Sequence, residues 1–599
     1  MGTKIVNNSQ VKSALKIKGF FGTVVASLAM AVTGLNRINR IFSHISQYQG
    51  IEFAGKLIEY LNVKCKINEN ELANIPKEGP FIIVSNHPFG AIDGIILLSQ
   101  IGKIRPDIKI LTNFLLSYIP NLEESFFPVN PFTDRPGLRS SFTGLKKAKE
   151  HIEAGGAIAF FPAGEVSSNR NKEKIVKDIE WQPSVVKLIK NAGLPVVPIF
   201  FTGQNSAFFH FLGKIHPMLR TVRLPHELSN KRNKEIELKI GMAIPASEIE
   251  DFASTEELGR YLWNRTYSLE ANVDEEEVQV KKYNNEEPVL PPVAKEPLVE
   301  EIKSIDSCRL FSVGSYQCYL AEYGQIPLLM KEIAIRREMA FRAVGEGTGK
   351  PLDTDEFDTY YRHLILWDKE EQAVIGAYRL GFCKEIIEVK GIAGIYTQTL
   401  FKYNKDFHSV LENSIELGRS FVAYEYQKDP LALMLLIKGL FYTVIKHESI
   451  RYLLGPVSIS SWYPLFYRSL MVYYLRSRHR DTRYANMVTP RTPFTPDYKK
   501  VSPKDLLESK IGSLERFDRF LSRMSNGKYR LPTLLKKYLK INSRIITFNV
   551  DPDFNYCIDG LIMLDLQEVP RNEIDSLSKE FDDKSVLYRR FGIDTSSWL

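Results

Sequence analysis

The sequence predicts two mixed domains in series, an α/β domain followed by an α+β domain, and three observations carry that expectation. The 599-residue chain is longer than one ordinary hydrophobic core spans. Its composition, 44% hydrophobic and 25% charged, is that of a folded globular protein. The third observation is a compositional break at Val273–Glu301, VDEEEVQVKKYNNEEPVLPPVAKEPLVEE. Acidic runs, a proline pair and little apolar periodicity mark it as a linker between halves of similar size. No internal repeat relates the halves, so different folds are expected.

In the first half, short apolar runs alternate with helical spacing. Phe81–Ser85, Ala157–Phe161, Val196–Phe201 and Ile236–Ile240 read as strands, and Leu138–Ala154 and Pro183–Ala192 as helices. Such alternation indicates a layered α/β fold. The second half mixes types. Ala340 falls near the end of a helix, His363–Trp367 and Ala373–Leu380 read as a strand pair, and Leu431–Lys446 as a helix. Arg544–Val550 and Ile558–Leu564 read as late strands.

Bulk chemistry narrows the function. Five scattered cysteines, with no C-x-x-C pair, give neither a disulfide framework nor a zinc site, so a reducing compartment is expected and no metal is implied. The net charge of +8 is mild. The cations cluster, at Lys12, Lys16, Lys18, Arg37 and Arg40 and again at Arg468, Arg476, Arg478, Arg480 and Arg483. Clusters of this kind suit anionic lipid headgroups or an acidic protein partner, and no nucleic-acid motif accompanies them. The apolar stretch Gly19–Leu35, flanked by Lys18 and Arg37, is at the lower limit for a membrane span. A helix lying in the cytoplasmic leaflet is the favoured expectation, with a single span as the alternative. Residues 1–50 are therefore read as a membrane-associating region, 51–272 and 302–599 as the two domains, and 273–301 as the linker.

The strand Phe81–Ser85 runs directly into NHPFGAID, Asn86–Asp93. A strand end anchors a loop at its root while leaving it open, which is where α/β folds place reacting groups. His87 can take a proton from an alcohol near neutral pH, and Asp93 can hold its other ring nitrogen and stabilise the imidazolium. The plainer alternative is a capped turn in which Asp93 merely starts a helix. A second strand end carries FPAGEVS, Phe161–Ser167, where Gly164 permits a tight turn with amides turned toward an oxyanion and Glu165 holds that turn or a polar group of the substrate. A third, VVPIFFTGQNS, spans Val196–Ser206.

In this order, NHPFGAID, SFFPVN, FPAGEVS and VVPIFFTGQNS resemble the four sequence blocks of the glycerolipid (lysophosphatidate-type) acyltransferases, over about residues 80–210. The resemblance implies acyl transfer from a thioester to a hydroxyl, with His87 as base, Asp93 as its orienter, and Phe161, Gly164 and Glu165 in an acceptor- or oxyanion-binding turn. Five residues separate His87 from Asp93 where the family has four, and Gly90 is expected to absorb the extra one. A-G-E replaces the usual E-G-T, and the second block lacks its Gly and Arg pattern, leaving Arg135 as a distant candidate for acceptor binding.

The second half carries RREMAFRAVGEGTGKPLDTDEFD at Arg336–Asp358, then HLILWD, GAYRL and ELGRS. Separately these are ordinary: a D-x-x-D pair is usually a solvated turn, and a structural ion-pair network is the plain alternative. Together they resemble the autoinducer-synthase branch of the GNAT superfamily and its aminolipid N-acyltransferase relatives, over about residues 305–565. Arg337, Phe341, Asp355, Asp358, Arg379, Glu416 and Arg419 fall at matching positions. The resemblance implies attack of an amine on an acyl thioester. Glu416 is then the proton acceptor, Asp355 and Asp358 attract the ammonium, and Arg379 or Arg419 pairs with these acids or with a substrate carboxylate. No bound cofactor is implied. The lack of an R-x-x-G-x-G loop favours acyl-carrier protein over acyl-CoA as donor, and the carrier's acidic surface suits the basic patches.

An O-acylating half joined to an N-acylating half resembles the bifunctional ornithine-lipid synthases. The expected partners are acyl-carrier protein, membrane lipids, an amino acid and its lyso-aminolipid, at the cytoplasmic face of a bacterial inner membrane. The rival expectations are a lysophospholipid acyltransferase with an accessory GNAT-like module and a catalytically silent, haemolysin-like membrane-binding protein.

Overall fold

The computed structural model describes residues 6–15, 19–113, 119–129, 138–169, 174–271, 286–507, 512–579 and 585–593. The chain forms two compact units. Unit 1 comprises Met1–Asn272 with Lys499–Arg530, and unit 2 comprises Val273–Tyr498 with Leu531–Leu599.

Unit 1 is α/β. Its strands are β1 (Lys64–Ile67), β2 (Phe81–Ser85), β3 (Lys109–Asn113), β4 (Phe126–Val129), β5 (Ala157–Phe160), β6 (Val196–Phe201) and β7 (Glu235–Ile240). They form one sheet in the order β1-β7-β6-β2-β5-β3-β4, parallel at every pairing except β6 with β7. The helices of its first segment are α1 (Asn8–Leu15), α2 (Gly19–Val32), α3 (Leu35–Ile45), α4 (Gly50–Tyr60), α5 (Glu69–Leu72), α6 (Ala91–Ile101), α7 (Leu138–Glu153), α8 (Pro183–Ala192), α9 (Ala207–Ile215), α10 (Pro217–Ser229), α11 (Ala246–Glu250) and α12 (Thr255–Tyr267), and residues 499–530 add the helices Pro503–Leu507 and Leu514–Met524. β2, β5 and β6 are buried along their whole length, so each reads as a continuous apolar run and not an alternating one. β1, with burial alternating between exposed and intermediate, gave no such run.

No helix among the described residues is long and apolar enough to cross a membrane. α2, within the stretch expected to lie in the leaflet, has 14 residues.

Unit 2 is built on an eight-stranded sheet in the order β16-β17-β14-β13-β11-β10-β9-β8. Its strands are β8 (Arg309–Val313), β9 (Tyr316–Glu322), β10 (Arg362–Asp368), β11 (Ala373–Phe382), β13 (Ser414–Val422), β14 (Tyr452–Ile459), β16 (Arg544–Asp551) and β17 (Cys557–Asp565), while β12 (Phe401–Tyr403) and β15 (Val488–Pro490) form a separate ribbon. Every pairing in the large sheet is antiparallel except β13 with β14. That parallel pair is in register only from Ser414 to Glu416 against Tyr452 to Leu454. Beyond it, β14 continues to Ile459 against β17 alone.

Two stretches differ from the sequence expectation. Part of the segment read as linker is folded: Lys295–Ser304 is a helix with Leu298 and Ile302 buried, and Glu287 and Leu290 donate backbone hydrogen bonds to Gly349 and Pro351. Leu298, Ile302 and Ile305 are spaced for one helical face, a period hidden by the surrounding glutamates. Residues 499–530, placed by chain position in the second domain, belong to unit 1. There the Ser502 backbone N–H donates to Asn264, Lys500 pairs with Glu270, and Asn526 meets Asn74.

Candidate active sites

In unit 1 the loop after β2 is pinned before it turns. Asn86 both donates to and accepts from the backbone of Phe201, at 2.9 and 2.7 Å, which ties the loop root to β6. Gly90 then adopts φ +96° and ψ −133°, a region essentially closed to residues with a Cβ, and starts α6. Asp93 lies in the first turn of α6, fully buried. Its Oδ2 accepts the backbone N–H groups of Phe89 and Gly90, each at 3.0 Å, and stands 2.9 Å from His87 Nδ1. Asp93 thus caps the first turn of α6 as the plainer reading expects, and the same oxygen lies beside the imidazole. The two atoms meet at ion-pair distance without hydrogen-bond geometry; a rotation of the ring that brought Nδ1–H onto the carboxylate would leave Nε2 as the basic nitrogen. The imidazole, 18% exposed, packs against Phe161 with ring centroids 4.3 Å apart.

Gly164 sits at φ +69° in the turn after β5, and a Cβ there would fall 2.0 Å from Gln182 Nε2. Glu165 is paired with Arg220 of α10 at 2.8 Å, and Arg220 also donates to the Val166 carbonyl at 3.1 Å. Arg135 lies outside the described residues.

Two groups in this site carry no local sequence signal. Asp178 is buried, and its carboxylate accepts the His87 backbone N–H at 3.2 Å, the Ser167 hydroxyl at 2.5 Å and the Trp181 indole at 3.3 Å. With Ser167 N–H donating to the His87 carbonyl at 2.9 Å, it clamps the histidine loop to the Phe161–Ser167 turn. Burial pushes its carboxyl pKa up, against the pull of these donors. Lys231 is the second. Its amine lies 4.3 Å from the centre of the Phe89 ring, in the field of Glu227 and Asp93, and burial lowers its pKa.

In unit 2 three arginines and three aspartates close a ring of alternating charge. Arg337 pairs with Asp353 and Asp358, both at 2.9 Å. Arg379 pairs with Asp358 at 3.2 Å and with Asp355, and Arg419 pairs with Asp355 and Asp353, both at 3.2 Å. Each member has two opposite neighbours. Burial raises the Asp358 carboxyl, but the Arg337 and Arg379 charges overcome it and hold it well below the usual range. The ring is neutral within itself, so Asp355 and Asp358 are already charge-balanced. One corner is open: Asp355 is 23% and Arg419 10% exposed, against 1% for the other four. A register slip between Ala377 and Arg379 and a left-handed backbone at Arg419, φ +49°, break the strand alternation that would otherwise set Glu416 and Arg419 on opposite faces.

Glu416 is held elsewhere. Its carboxylate accepts the Thr397 N–H at 2.7 Å, the Tyr396 N–H at 3.0 Å and the Tyr361 hydroxyl. These contacts fit a residue that fixes the 396–397 backbone. Burial raises its pKa. Phe341 packs with the apolar core around Leu298 and Ile333. A second carboxylate group gathers where β13 and β14 have parted; of its members Glu346 lies within the Arg336–Asp358 stretch but was not singled out there, and the two aspartates lie outside the motifs. Glu346 accepts from Ser458 of β14 at 2.7 Å, Asp551 ends β16, and Asp559 lies on β17. They act on one another electrostatically, and Arg419 acts on both aspartates. Burial first, and then Asp551, pushes Glu346 up to about 7.

Comparison with known proteins agrees with this division. A family model described as Acyltransferase matches residues 31–276, and one described as Acetyltransferase (GNAT) domain matches 336–437. The glycine N(alpha)-acyltransferase of Bacteroides thetaiotaomicron is 28% identical over 281 residues, 45% of this chain and 82% of that protein. The lyso-glycine lipid O-acyltransferase of the same organism is 28% identical over 259 residues, 41% of this chain and 89% of that protein. A solved 1-acyl-sn-glycerophosphate acyltransferase from Thermotoga maritima aligns at 17% identity and TM-score 0.25, over 47% of this chain and all of its own. The chain is thus an acyltransferase that joins a domain of the Acyltransferase family to a C-terminal domain of the GNAT type.

Proposed function

We propose that the chain builds an acyloxyacyl aminolipid in two transfers. Unit 2 places a 3-hydroxyacyl group on the amine of an amino acid, and unit 1 then acylates the new 3-hydroxyl. The observation that carries this reading is the His87–Asp93 pair, 2.9 Å apart, in a chain that also carries a GNAT-type domain. The relatives support the pairing of activities, one named for N-acylation of glycine and the other for O-acylation of a lyso-glycine lipid. They also favour glycine over ornithine as the amino acid.

In unit 1, His87 Nε2 takes the hydroxyl proton as the acceptor oxygen attacks the thioester carbonyl, and Asp93 stabilises the imidazolium. The ester forms, the thioester bond breaks, and the proton passes to the departing thiolate. The turn at Phe161, Gly164 and Glu165 faces the acceptor or the oxyanion, and Arg135 remains assigned to acceptor binding. In unit 2, the open corner of the ring receives the amino-acid zwitterion, Asp355 taking the ammonium and Arg419 the carboxylate. The buried members Arg337, Asp358 and Arg379 hold that corner in place. The amine gives up its proton to the Glu346, Asp551 and Asp559 group, in which Glu346 is poised near neutrality, and attacks the thioester carbonyl; the amide C–N bond forms, the C–S bond breaks and the departing thiolate takes up the proton, while Glu416 positions the Tyr396 backbone. The donor is acyl-carrier protein, with acyl-CoA as the comparison donor, and the enzyme works peripherally at the cytoplasmic face of the membrane.

Lipid mass spectrometry of cells expressing the chain, fed labelled glycine or labelled ornithine, tests this reading. A phosphorus-free, doubly acylated glycine lipid is expected. Altered phosphatidate alone would support a lysophospholipid acyltransferase instead, and an unchanged lipid profile would end the proposal.

A further inference from the structure

The hairpin of α9 and α10 exposes more apolar surface than folding accounts for. On α9 the exposed large side chains are Phe208, Phe211 and Ile215, and on α10 they are Met218, Leu219 and Val222, each between 43% and 67% exposed. The spacings of three and four residues put each set on one helical face. The hairpin is not a frayed segment. Ser206 caps α9 through the Phe209 N–H and bonds the buried Glu227, and His216 caps α10 through the Met218 N–H. A rigid, capped hairpin that presents a contiguous apolar face marks a contact site.

Charge indicates what covers this face. Lys214 is exposed among the apolar residues, the Arg223 guanidinium lies 5.3 Å from the Phe208 ring, and the acid of α9–α10, Glu227, is fully buried. The neighbouring α2 adds Val24, Leu28 and Val32 on one face, each more than half exposed, and α3 adds the exposed cations Arg37 and Arg40. α3 begins directly on α10: a Cβ on Gly34 would lie 3.0 Å from His226 Cα. Apolar side chains rimmed by cations and free of exposed carboxylates match the interface of an anionic bilayer, with its apolar interior and phosphate surface.

The opposite face of α10 reaches the chemistry. Arg220 holds Glu165 and the Val166 carbonyl, and Leu224 stands 3.1 Å from where a Gly90 Cβ would be. One helix therefore exposes Met218, Leu219 and Val222 while it packs on both the histidine loop and the FPAGEVS turn. We propose that α9–α10 is a bilayer-entering hairpin that brings a lipid acceptor to His87 without its leaving the leaflet. The delivery half of this rests on the O-acyl-transfer reading. The insertion half does not.

The experiment uses the full chain with vesicles of phosphatidylethanolamine and phosphatidylglycerol. Phe211→Trp should gain fluorescence that brominated lipid quenches by more than half. The triple variant Phe208→Ser, Phe211→Ser and Met218→Ser should lose at least tenfold in vesicle binding and in turnover of a vesicle-embedded acceptor. It should keep wild-type turnover of a short-chain, water-soluble 3-hydroxyacyl amino acid, which shows that the site is intact. An unquenched tryptophan, or a triple variant that binds vesicles as wild type does, would overturn insertion, and so would binding of acyl-carrier protein through this face without vesicle binding. Quenching without turnover of any acceptor would leave insertion standing and remove the lipid-acceptor reading.

Discussion

Asp93 Oδ2 caps the first turn of α6 and stands 2.9 Å from His87 Nδ1, so the proposed mechanism gives one side chain two tasks. Substitutions at the two residues should therefore differ. His87→Ala is expected to cut O-acylation by about a thousandfold with little change in melting temperature, so that the monoacyl lipid accumulates. Asp93→Asn is expected to lower activity by a similar factor and also to cost about 1 kcal/mol of stability through the lost cap. Chromatography of extracted lipids and thermal melts check both. In the proposed mechanism Glu346 sets the pH dependence of N-acylation. Its pKa is raised from 4.5 to about 7, so the folded state holds this proton more tightly than the unfolded chain does. The stability it contributes is present below about pH 4.5 and is lost as the pH rises through about 7, while its capacity to accept the amine's proton appears over that same rise. N-acylation should climb through neutral pH, and Glu346→Gln should abolish that limb while leaving O-acylation unchanged. A wild-type profile in the variant would move the proton to another acceptor.

At the scale of elements, the ring of arginines and aspartates ties the helix Pro327–Arg342, the 353–358 turn, β11 and β13 together. Removing a buried member leaves its partners uncompensated in low dielectric, where the cost far exceeds that of an exposed pair. Asp353→Asn should destabilise unit 2 by about 3–5 kcal/mol, whereas Asp355→Asn, at the open corner, should cost about 1 kcal/mol and act mainly on the KM for the amino acid. Denaturant melts alongside N-acylation kinetics distinguish the two, and equal destabilisation would mean that the corner is not open.

For the whole molecule, the decisive feature is that unit 1 is discontinuous. Residues 499–530 bring Phe520 to 5.3 Å from the Arg265 guanidinium and Arg523 to 2.9 Å from Glu248. A fragment ending at residue 272 should therefore be poorly soluble or inactive in O-acylation, and supplying 499–530 as a fused segment should restore it. Full activity of the short fragment would show that the segment is dispensable. The central strands of both units were legible in the sequence because β2, β5, β6, β11 and β17 are buried on both faces and are mostly apolar, although Arg379 interrupts β11 and Asp559 interrupts β17. β8, exposed along much of its length, and the partly exposed β1 were not, because their pairing depends on distant partners.

By itself, the sequence determined an acyltransferase domain, a GNAT-type domain and one strand-end loop carrying His87 and Asp93, because apolar runs, turn glycines and ordered motifs are written within a few residues of one another. Only the tertiary structure decided that Asp178 clamps that loop, that Arg220 holds Glu165, and that Asp353 completes a closed ring of charge. It likewise gave Glu416 to the Tyr396 backbone and residues 499–530 to unit 1. Those contacts join residues far apart in the chain, and no local spacing encodes a partner chosen by packing.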